Sequence, residues 1–328
     1  MTVFAVLGGG GAFGIHTAQY MLDHGADRVI GIGRNTLRPE PFTLGIEKHP
    51  RYTYRAHHVT HELDLLLEYL DAQRPEVIIN FAAQGEGAAS WSHSWRFFET
   101  NAVALSRLVE ALMQRDWLKR FVHIGTSEVY GSADHAMTED ASTHPTSPYA
   151  ASKLAFDHYL LAVRDRGFPC VILRPSNAYC PGQLLHRVVP RAIVAGLSGV
   201  KIPLHGGGRA RKSYIHARDL ARAIHMVSMH GEGYAPIYNV GPAEPITIRA
   251  LVGACATALN LGFGELTYSS SARPGEDACY WLDSSRIYAD LGWEPMIPLD
   301  EGLAEMVEWG RRYLDVLRDW PTDYQLRA

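Results

Sequence analysis

An apolar run that leads straight into a glycine-rich turn constrains the fold of this chain most. Val3–Leu7 contains only apolar side chains, and glycines follow at positions 8, 11 and 14. This order predicts a strand, a tight turn and a helix that opens at about Ile15. Such a turn lets the backbone approach a pyrophosphate closely and directs helix N-terminal N–H groups toward it. The pattern therefore predicts a dinucleotide site at Gly8, Gly11 and Gly14, although four adjacent glycines also suit a flexible loop.

Short apolar runs recur along the first half of the chain, with helix-compatible stretches between them. The runs are Val29–Ile32, Val77–Phe81, Phe121–Ile124 and Cys170–Leu173, and the stretches include Glu62–Leu70, Phe97–Met113 and Tyr149–Val163. Their spacing is that of βαβ units and predicts a Rossmann-type, doubly wound α/β fold with a parallel sheet. After about Asn177 the pattern becomes irregular, which suits a smaller α/β C-terminal lobe. We expect a cofactor-binding domain over residues 1–179, with a return strand near 237–240, and a substrate-binding lobe over 180–328.

Composition and charge argue against several classes of protein. The 328 residues are 47% hydrophobic and 20% charged, as in an ordinary globular enzyme. A net charge of −4 gives no electrostatic reason to expect nucleic acid or an anionic membrane as a partner. No apolar run reaches the roughly 18 residues that a membrane span needs. The four cysteines lack metal-ligand spacing, so we expect reduced thiols, no metal site and a cytoplasmic location.

The end of the second predicted strand bears on which dinucleotide is bound. NAD sites usually place an acidic residue at this point, where it binds the ribose 2′-hydroxyl. This chain has Gly33 and then Arg34. A site without the carboxylate but with a neighbouring guanidinium suits a 2′-phosphate, because arginine can bind phosphate oxygens in a bidentate manner. We therefore predict NADP as the cofactor and NAD as the second choice, the alternative being an arginine that only faces solvent.

Tyr149 and Lys153 form a Tyr-x-x-x-Lys pair in a helix-compatible segment that follows Pro148. A spacing of four places both side chains on one helical face. An ammonium group near a phenol stabilises the phenolate and lowers its pKa, which makes Tyr149 a usable general base. The same spacing also occurs in surface Tyr/Lys pairs, so the prediction depends on the motifs around it.

A cluster of hydroxyl and carboxylate groups follows the strand predicted at Phe121–Ile124. Thr126, Ser127 and Glu128 stand at its carboxyl end, where open α/β sheets place their ligands. With these motifs the chain resembles the extended short-chain dehydrogenase/reductases that act on nucleotide sugars, and within them the 4,6-dehydratases for dTDP-glucose and GDP-mannose. The resemblance covers nearly the whole chain and rests on Gly8/Gly11/Gly14, Asn80–Gln84, Asn101, Thr126–Glu128, Tyr149/Lys153, Arg174–Asn177, His216–Asp219, Tyr238–Gly241, Arg273–Asp277 and Leu291–Pro295.

The resemblance implies a reaction in which hydride leaves the sugar and later returns to it. Tyr149, assisted by Lys153 and Thr126, removes the proton of the 4-hydroxyl while hydride leaves carbon 4 for the nicotinamide. Glu128 then abstracts the carbon-5 proton, the 6-hydroxyl leaves as water, and hydride returns to carbon 6. Ser127 is also expected to be a catalytic residue, and it stands where the dTDP-glucose enzymes have an aspartic acid. The proton for the leaving hydroxyl is therefore expected from Glu128 or through water.

The resemblance also implies which residues contact each ligand. Cofactor contacts beyond the glycine turn and Arg34 are expected at Ala12, Phe13, Asn35, His58, Val59, Phe81, Ala82, Ala83, Gln84, Asn101, Ile124, Tyr149, Lys153, Pro175 and Asn177. Contacts to a nucleotide-diphosphate sugar are expected at Gln84, Glu86, Ser90, Thr126, Asn177, Arg187, Val188, Lys212, Asn239 and Arg273. Three positions depart from the family pattern. Lys212 replaces an arginine, His58 replaces an acidic residue that contacts adenine, and Glu86 brings an unusual acid close to the sugar or its phosphate.

Other functions on the same fold stay open from the sequence. A nucleotide-sugar epimerase needs only oxidation, rotation and re-reduction, and commonly carries small or hydroxyl residues at the position of Glu128. A nucleotide-uronate decarboxylase can share Thr-Ser-Glu. A non-catalytic NADP sensor is a different class, but sensors tend to lose the tyrosine or the lysine. The segments Phe97–Met113 and Tyr149–Val163 predict a homodimer, because similar proteins pair these helices in a four-helix bundle.

Overall fold

A parallel β-sheet forms the centre of this protein. The structure is a computed structural model that describes residues 2–231, 233–271 and 279–326. The strands in chain order are β1 (Val3–Leu7), β2 (Arg28–Gly33), β3 (Tyr52–Ala56), β4 (Val77–Asn80), β5 (Arg120–Ile124), β6 (Cys170–Pro175), β7 (Asn177–Tyr179), β8 (Ile202–His205), β9 (Arg211–Lys212), β10 (Tyr214–His216), β11 (Ile237–Val240), β12 (Ile246–Thr247), β13 (Thr267–Ser270) and β14 (Cys279–Tyr280). Within the described ranges, seven of them make the central sheet in the order β11-β6-β5-β4-β1-β2-β3. All neighbouring strands in it are parallel, which confirms the predicted α/β fold.

Helices cover both faces of the sheet. The α-helices in chain order are α1 (Ala12–Asp23), α2 (Glu40–Thr43), α3 (Leu63–Gln73), α4 (Ser94–Phe98), α5 (Leu105–Leu112), α6 (Pro148–Arg164), α7 (Val188–Leu197), α8 (Ala217–Met229), α9 (Ile248–Ala258), α10 (Phe263–Leu266), α11 (Ser285–Leu291), α12 (Leu299–Arg312) and α13 (Leu314–Leu317). Single turns of 3₁₀-helix lie at Ile46–Lys48, Ala88–Trp91, Ser127–Tyr130 and Gly206–Gly208, and Glu99–Ala104 is π-helical. The helix predicted over 97–113 is therefore interrupted by a π-helical turn that the apolar pattern did not indicate. In the part of the chain that the structure describes, no helix has the length and apolar character needed to cross a membrane.

The side chains of β1 explain why a parallel strand is apolar at every position. Phe4 and Val6 pack with buried residues of α1 and α8. Ala5 and Leu7 belong to the opposite cluster, with buried residues of α3, α5 and α6. Successive side chains of a strand point to opposite faces, so a strand covered by helices on both sides has no solvent-facing position. The continuous apolar run thus places β1 at the centre of a sheet that is covered on both faces.

The strand order reverses between β1 and β4, which lie side by side in the sheet. From this point the chain builds β2 and β3 to one side and β5 and β6 to the other. A crevice opens at the carboxyl ends of the strands where the order reverses, and open α/β proteins bind their ligands there. The glycine turn after β1 lies at this crevice. Helix α1 begins at Ala12 rather than at about Ile15, so the turn is tighter than predicted.

A second hydrophobic core lies outside the central sheet. Buried side chains of α7, α9 and α12 form it. Short strands flank it, with β13 paired to β8, and β12 and β14 paired to β9. Between α7 and α9 the chain returns to the central sheet: helix α8 packs on α1, and strand β11 pairs with β6. The domain boundary at residue 179 stays a prediction. Helix α8 lies beyond that boundary in sequence, but it packs with elements of the predicted cofactor-binding domain.

Candidate active site

The glycine turn after β1 exposes its backbone to the crevice. Gly8 has a φ of 79°, and its N–H donates to the carbonyl of Ile32 at 2.7 Å. A Cβ on Gly8 would lie 2.9 Å from the carbonyl carbon of Phe81, and one on Gly14 would lie 2.6 Å from the Gly8 oxygen. Glycine is therefore required at position 8 by space and by conformation, and at position 14 by space. The turn, followed by Ala12 in the first turn of α1, has the shape that a pyrophosphate site needs.

A cavity of about 240 Å³ opens beside this turn, at the carboxyl ends of β1, β2 and β4. The predicted cofactor residues that line it are Gly8, Gly11, Arg34, Asn35, His58, Val59, Phe81, Ala82 and Ala83. Phe13 and Gly14 lie in the first turn of α1, next to it. Arg38 and Tyr54, which the sequence analysis missed, also line it. Among the described residues of its lining there is no Asp or Glu, so the cavity favours a ligand that carries negative charge.

Tyr149 lies in the first turn of α6 and contacts Thr126. Ser147 caps this helix, because its hydroxyl accepts a hydrogen bond from the N–H of Ala150 at 3.1 Å. The Tyr149 phenol shares a hydrogen bond with the Thr126 side chain. The Thr126 hydroxyl also accepts from the N–H of Glu128 at 3.3 Å. The helix cap and the strand end thus bring the three predicted catalytic groups to one place.

The environment of Tyr149 raises the pKa of its phenol. Burial is the largest cause, and the negative charge of Glu128 adds to it. Arg187 and the hydrogen bond to Thr126 act in the opposite direction. The spacing of Tyr149 and Lys153 predicted a lowered pKa, so this prediction is wrong for the structure as it stands. The reason is that burial of the phenol, together with the charge of Glu128, outweighs the groups that favour its ionised form.

Lys153 is buried in a polar cluster that the sequence analysis did not foresee. Its Nζ donates to the carbonyl oxygen of Ile124 at 2.7 Å and lies 3.3 Å from Nε2 of His123. Burial lowers the pKa of Lys153 to about 8, and the negative charge of Asp157 raises it in part. Burial and the charge of Lys153 also hold the pKa of His123 well below its ordinary value. The lysine is thus fixed between a strand carbonyl and a carboxylate one helical turn further along α6.

Asp157 connects the lysine to a chain of buried hydrogen bonds. Arg174 donates from Nε to the Asp157 carboxylate and from Nη1 to the Tyr130 hydroxyl, both at 2.9 Å. Tyr130 donates to Oδ1 of Asn239 at 2.8 Å, and Nδ2 of Asn239 donates to the carbonyl of Met137 at 2.8 Å. Asn239 was predicted to contact the substrate, but its side-chain amide is buried and committed to these bonds. Its predicted contact with the substrate stays a prediction, and in the structure its side chain supports the cluster around Arg174 and Tyr130.

Asn101 and Ser90 also have protein partners where ligand contacts were predicted. The Asn101 amide accepts from the N–H of Gln84 at 2.7 Å, and it donates to the Gln84 carbonyl at 3.0 Å and to the Ser152 hydroxyl at 2.9 Å. Ser90 donates to the carbonyl of Gly87 at 2.6 Å. Both side chains are fully buried. These residues tie the loop after β4 to α6, and the π-helical turn supplies the inward-facing Asn101.

Glu128 lies in the 3₁₀-helical turn that follows β5, and its carboxylate approaches the loop after β4. A Cβ on Gly87 would lie 3.3 Å from Oε2 of Glu128. The carboxylate, the Thr126 hydroxyl and the Tyr149 phenol therefore share the carboxyl end of β5. Ser127, also predicted to be catalytic, is only 3% exposed. Thr126 is also buried, at 8% exposure, so Glu128 is the most accessible of these three residues.

Glu86 and Arg187 lie together at the edge of the crevice. Nη1 of Arg187 is 3.3 Å from Oε2 of Glu86, and Nε2 of His186 is 3.9 Å from the same oxygen. Tyr324 donates to Oε1 of Gln84 at 3.4 Å, and its ring lies edge-on to His186 at 5.3 Å. The structure thus brings together three predicted substrate residues. Tyr324 was missed because it lies far along the chain from every motif.

The remaining predicted contacts belong to several elements. Ile124 and Pro175 end β5 and β6, Asn177 begins β7, Val188 begins α7, and Lys212 belongs to β9. Arg273 lies outside the described residues. In the described ranges no group of three or more His, Cys, Asp or Glu side chains is arranged to hold a metal ion.

Comparison with known proteins now places the chain among relatives. The model of the NAD dependent epimerase/dehydratase family matches residues 4–241. The chain belongs to this family. The dTDP-glucose 4,6-dehydratase of Neisseria gonorrhoeae is 30% identical to it, with 94% of this chain and 95% of the relative covered. The dTDP-glucose 4,6-dehydratase of Haemophilus influenzae is 29% identical, with 93% and 96% covered.

A solved structure shows the same similarity in three dimensions. The crystal structure of DesIV, a dTDP-glucose 4,6-dehydratase from Streptomyces venezuelae with NAD bound, matches this chain with a TM-score of 0.86. The two are 30% identical, and the match covers 95% of this chain and 97% of the DesIV chain. The resemblance that the sequence motifs predicted is therefore confirmed.

Replacing Asp157 with Asn tests whether this carboxylate sets the charge of Lys153. Its negative charge raises the pKa of a lysine that burial has lowered to about 8, so its loss should lower that pKa further. Lys153 then loses its proton at a lower pH, and the alkaline limb of the kcat/KM profile should move to lower pH. The control is the same change at Asp315, whose side chain is 90% exposed. An unchanged alkaline limb with a lowered melting temperature would mean that Asp157 only supports the fold.

Proposed function

We propose that this protein is a nucleotide-sugar 4,6-dehydratase, which converts an NDP-hexose into an NDP-4-keto-6-deoxyhexose. The observation that carries the proposal is the meeting of the Tyr149 phenol, the Thr126 hydroxyl and the Glu128 carboxylate at the carboxyl end of β5. Oxidation of an alcohol followed by loss of water requires one base for a hydroxyl proton and another for a carbon-bound proton. When bound, the nicotinamide accepts hydride from the sugar and returns it.

Tyr149 removes the proton of the sugar's 4-hydroxyl. Burial and Glu128 oppose ionisation of the phenol, so positive charge has to assist it. Arg187 already lowers the pKa of Tyr149, and Lys153 lies one helical turn away. The hydrogen bond to Thr126 holds the phenol in place and also favours its ionised form.

Glu128 is the residue that favours a dehydratase over an epimerase. A ketone at carbon 4 acidifies the proton on carbon 5, and a carboxylate beside the phenol can remove it. An epimerase has no use for this second base. Glu128 raises the pKa of Tyr149, which places the two groups in one electrostatic environment. Because position 127 is a serine, whose hydroxyl is a weak acid, the proton for the leaving hydroxyl comes from Glu128 or through water.

Replacing Glu128 with Gln should separate the two half-reactions. The variant should still oxidise carbon 4, seen as reduced cofactor, while water loss slows by about 10²–10⁴-fold without its base. Mass spectrometry should then find the product that is lighter by one water only at a correspondingly lower rate. Tyr149→Phe is the companion variant, in which the oxidation itself is lost while the cofactor still binds.

Full product formation by Glu128→Gln would contradict the dehydratase assignment. Loss of carbon dioxide from a uronate substrate would indicate a decarboxylase instead. A product of unchanged mass would indicate an epimerase. Screening dTDP-, GDP-, UDP- and CDP-sugars with the unmodified protein identifies the nucleotide in the same measurement.

NADP is the cofactor that we propose for this chain, although the similar DesIV structure was determined with NAD. Position 33, at the end of β2, is glycine instead of the acidic residue that binds a ribose 2′-hydroxyl. Arg34 and Arg38 line the cavity there, without a carboxylate among the described lining residues. Two guanidinium groups suit a 2′-phosphate, which needs hydrogen-bond donors and positive charge.

Replacing Arg34 with Ala tests this cofactor assignment. A lost charge-assisted contact of about 1.5–3 kcal/mol should weaken NADP binding roughly 10- to 100-fold and leave NAD binding nearly unchanged. Dissociation constants from fluorescence titration measure both. The matched control is Arg74→Ala, because that arginine is exposed and pairs with Asp116 away from the cavity. Equal weakening of both cofactors, or NAD recovered from the purified protein, would contradict the assignment.

The substrate that we propose is a nucleotide-diphosphate sugar. Its diphosphate requires cationic partners, and Arg187 supplies one at the edge of the crevice. A Cβ on Gly85 would lie 3.9 Å from Nη2 of this arginine, so the guanidinium reaches the loop after β4. Lys212 on β9 is the second candidate, as a point charge rather than a bidentate fork. The contact of Arg187 with Glu86 keeps it extended over the site.

We propose that the protein is a homodimer built from the helices of the segments 97–113 and 149–163. Helix α4 packs directly on α6. Beside this pair, Trp91, Trp95 and Val103 are 68%, 60% and 56% exposed, which leaves an apolar face. A second copy would cover it as a four-helix bundle. Sedimentation at micromolar concentration should give twice the monomer mass, and Trp95→Asp with Val103→Asp should give the monomer. A monomer in the unmodified protein would contradict the proposal.

We also propose a cytoplasmic location. The described cysteines are all free thiols: Cys170, Cys180, Cys255 and Cys279. Three of them are buried. Reduced cysteines suit a reducing compartment.

A further inference from the structure

Tyr54 on β3 lies over the end of β2, where the ribose of a dinucleotide is expected. The register of the two strands pairs Gly33 with Ala56 and Gly31 with Tyr54. A Cβ on Gly33 would lie 2.5 Å from the Tyr54 hydroxyl, and a Cβ on Gly10 would lie 2.8 Å from it. Real Cβ contacts are not this short, so a side chain at either position would have to displace the phenol. Position 33 is therefore glycine because Tyr54 fills the space beside it.

The Tyr54 hydroxyl is held in this place by the loop that follows β2. It donates to the carbonyl oxygen of Asn35 at 2.7 Å. Arg38, at the far end of the same loop, donates from Nη1 to the carbonyl of Gly10 at 3.2 Å. Burial raises the pKa of Tyr54 and the charge of Arg38 lowers it, so the guanidinium lies near the phenol. Two hydrogen bonds thus anchor residues 34–38 against β3 and the glycine turn.

At this edge of the cavity, hydrogen-bond donors stand where an NAD site has a carboxylate acceptor. In an NAD site a carboxylate at the end of the second strand accepts from the ribose hydroxyls. Here the space for that carboxylate holds a phenol, and Arg34 and Arg38 stand next to it in the lining. A carboxylate would repel a phosphate, whereas hydroxyl and guanidinium groups donate to its oxygens.

We propose that Tyr54 sets the cofactor specificity together with Gly33: its hydroxyl occupies the space of the missing acidic side chain and holds the loop 34–38 where it receives a 2′-phosphate. The proposal rests on the NADP assignment made above and is independent of the sugar. It predicts that positions 33 and 54 are coupled. An acidic residue at 33 is tolerated only when the hydroxyl at 54 is removed.

A double-mutant cycle with Gly33→Asp, Tyr54→Phe and their combination tests this coupling. Affinities for NADP and NAD are measured by calorimetry without any sugar, and 2′,5′-ADP serves as a probe of the phosphate subsite. Gly33→Asp alone should lower the melting temperature and weaken both cofactors at least about tenfold, because the new side chain meets the phenol. Tyr54→Phe alone should weaken NADP and 2′,5′-ADP about 3- to 10-fold and leave NAD unchanged.

The double variant decides the proposal. It should recover the melting temperature and bind NAD better than NADP, reversing the preference of the unmodified protein. The control is Tyr69→Phe, because Tyr69 does not line the cofactor cavity and its hydroxyl should leave both affinities unchanged.

The NADP assignment and the role of Tyr54 can fail separately. If the unmodified protein prefers NAD, the 2′-phosphate assignment fails, and the thermal coupling of positions 33 and 54 still tests the steric claim. If it prefers NADP but Gly33→Asp binds NAD tightly without Tyr54→Phe, the role of Tyr54 is refuted and the NADP assignment stands. Additive effects in the cycle would refute it in the same way.

Discussion

The close approach of the turn after β1 to its neighbouring strands is the constraint on which this site depends. A Cβ on Gly9 would lie 2.6 Å from Cα of Gly31, so the turn rests directly on the backbone of β2. On the other side, the N–H of Phe81 donates to the carbonyl of Leu7 at 2.8 Å. Asn101 then ties the loop after β4 to α6, the helix that carries the catalytic tyrosine. Backbone contacts and one buried amide thus fix the cofactor cavity relative to the proton-transfer groups.

Desolvation governs the chemistry of the groups on α6. Tyr149, Lys153 and Asp157 follow one another at a spacing of four on one helical face, and all lie in buried surroundings. Burial raises the pKa of Tyr149 and of Asp157, and it lowers that of Lys153 to about 8. Arg174 supplies a lasting positive charge at the end of this row. Because Lys153 and Asp157 interact in this low-dielectric environment, a proton gained or lost by one shifts the pKa of the other.

The sequence predicted the elements whose signal is local. Continuous apolar runs located β1, β2, β4, β5 and β6 within about two residues, because a parallel strand buries both faces. The edge strand β3 was missed, because its sequence is not a continuous apolar run and most of its side chains are not buried. Spacing and turn chemistry located the glycine turn and the Tyr-x-x-x-Lys pair. The protein partners of Asn101 and Asn239 were not foreseen, because a residue type does not show which neighbour uses its polar atoms. Tyr54 and Tyr324 were missed because their contacts join positions that are distant in the chain.

The central claim is that one protein removes hydride from carbon 4 of a nucleotide sugar and returns it to carbon 6 while water is lost. A sugar nucleotide that carries deuterium only at carbon 4 tests this directly, with product analysed by mass spectrometry and by NMR. The account predicts a product lighter by one water that retains the deuterium at carbon 6. A product that has lost the label to solvent, or that keeps it at carbon 4 with no loss of water, would contradict the account.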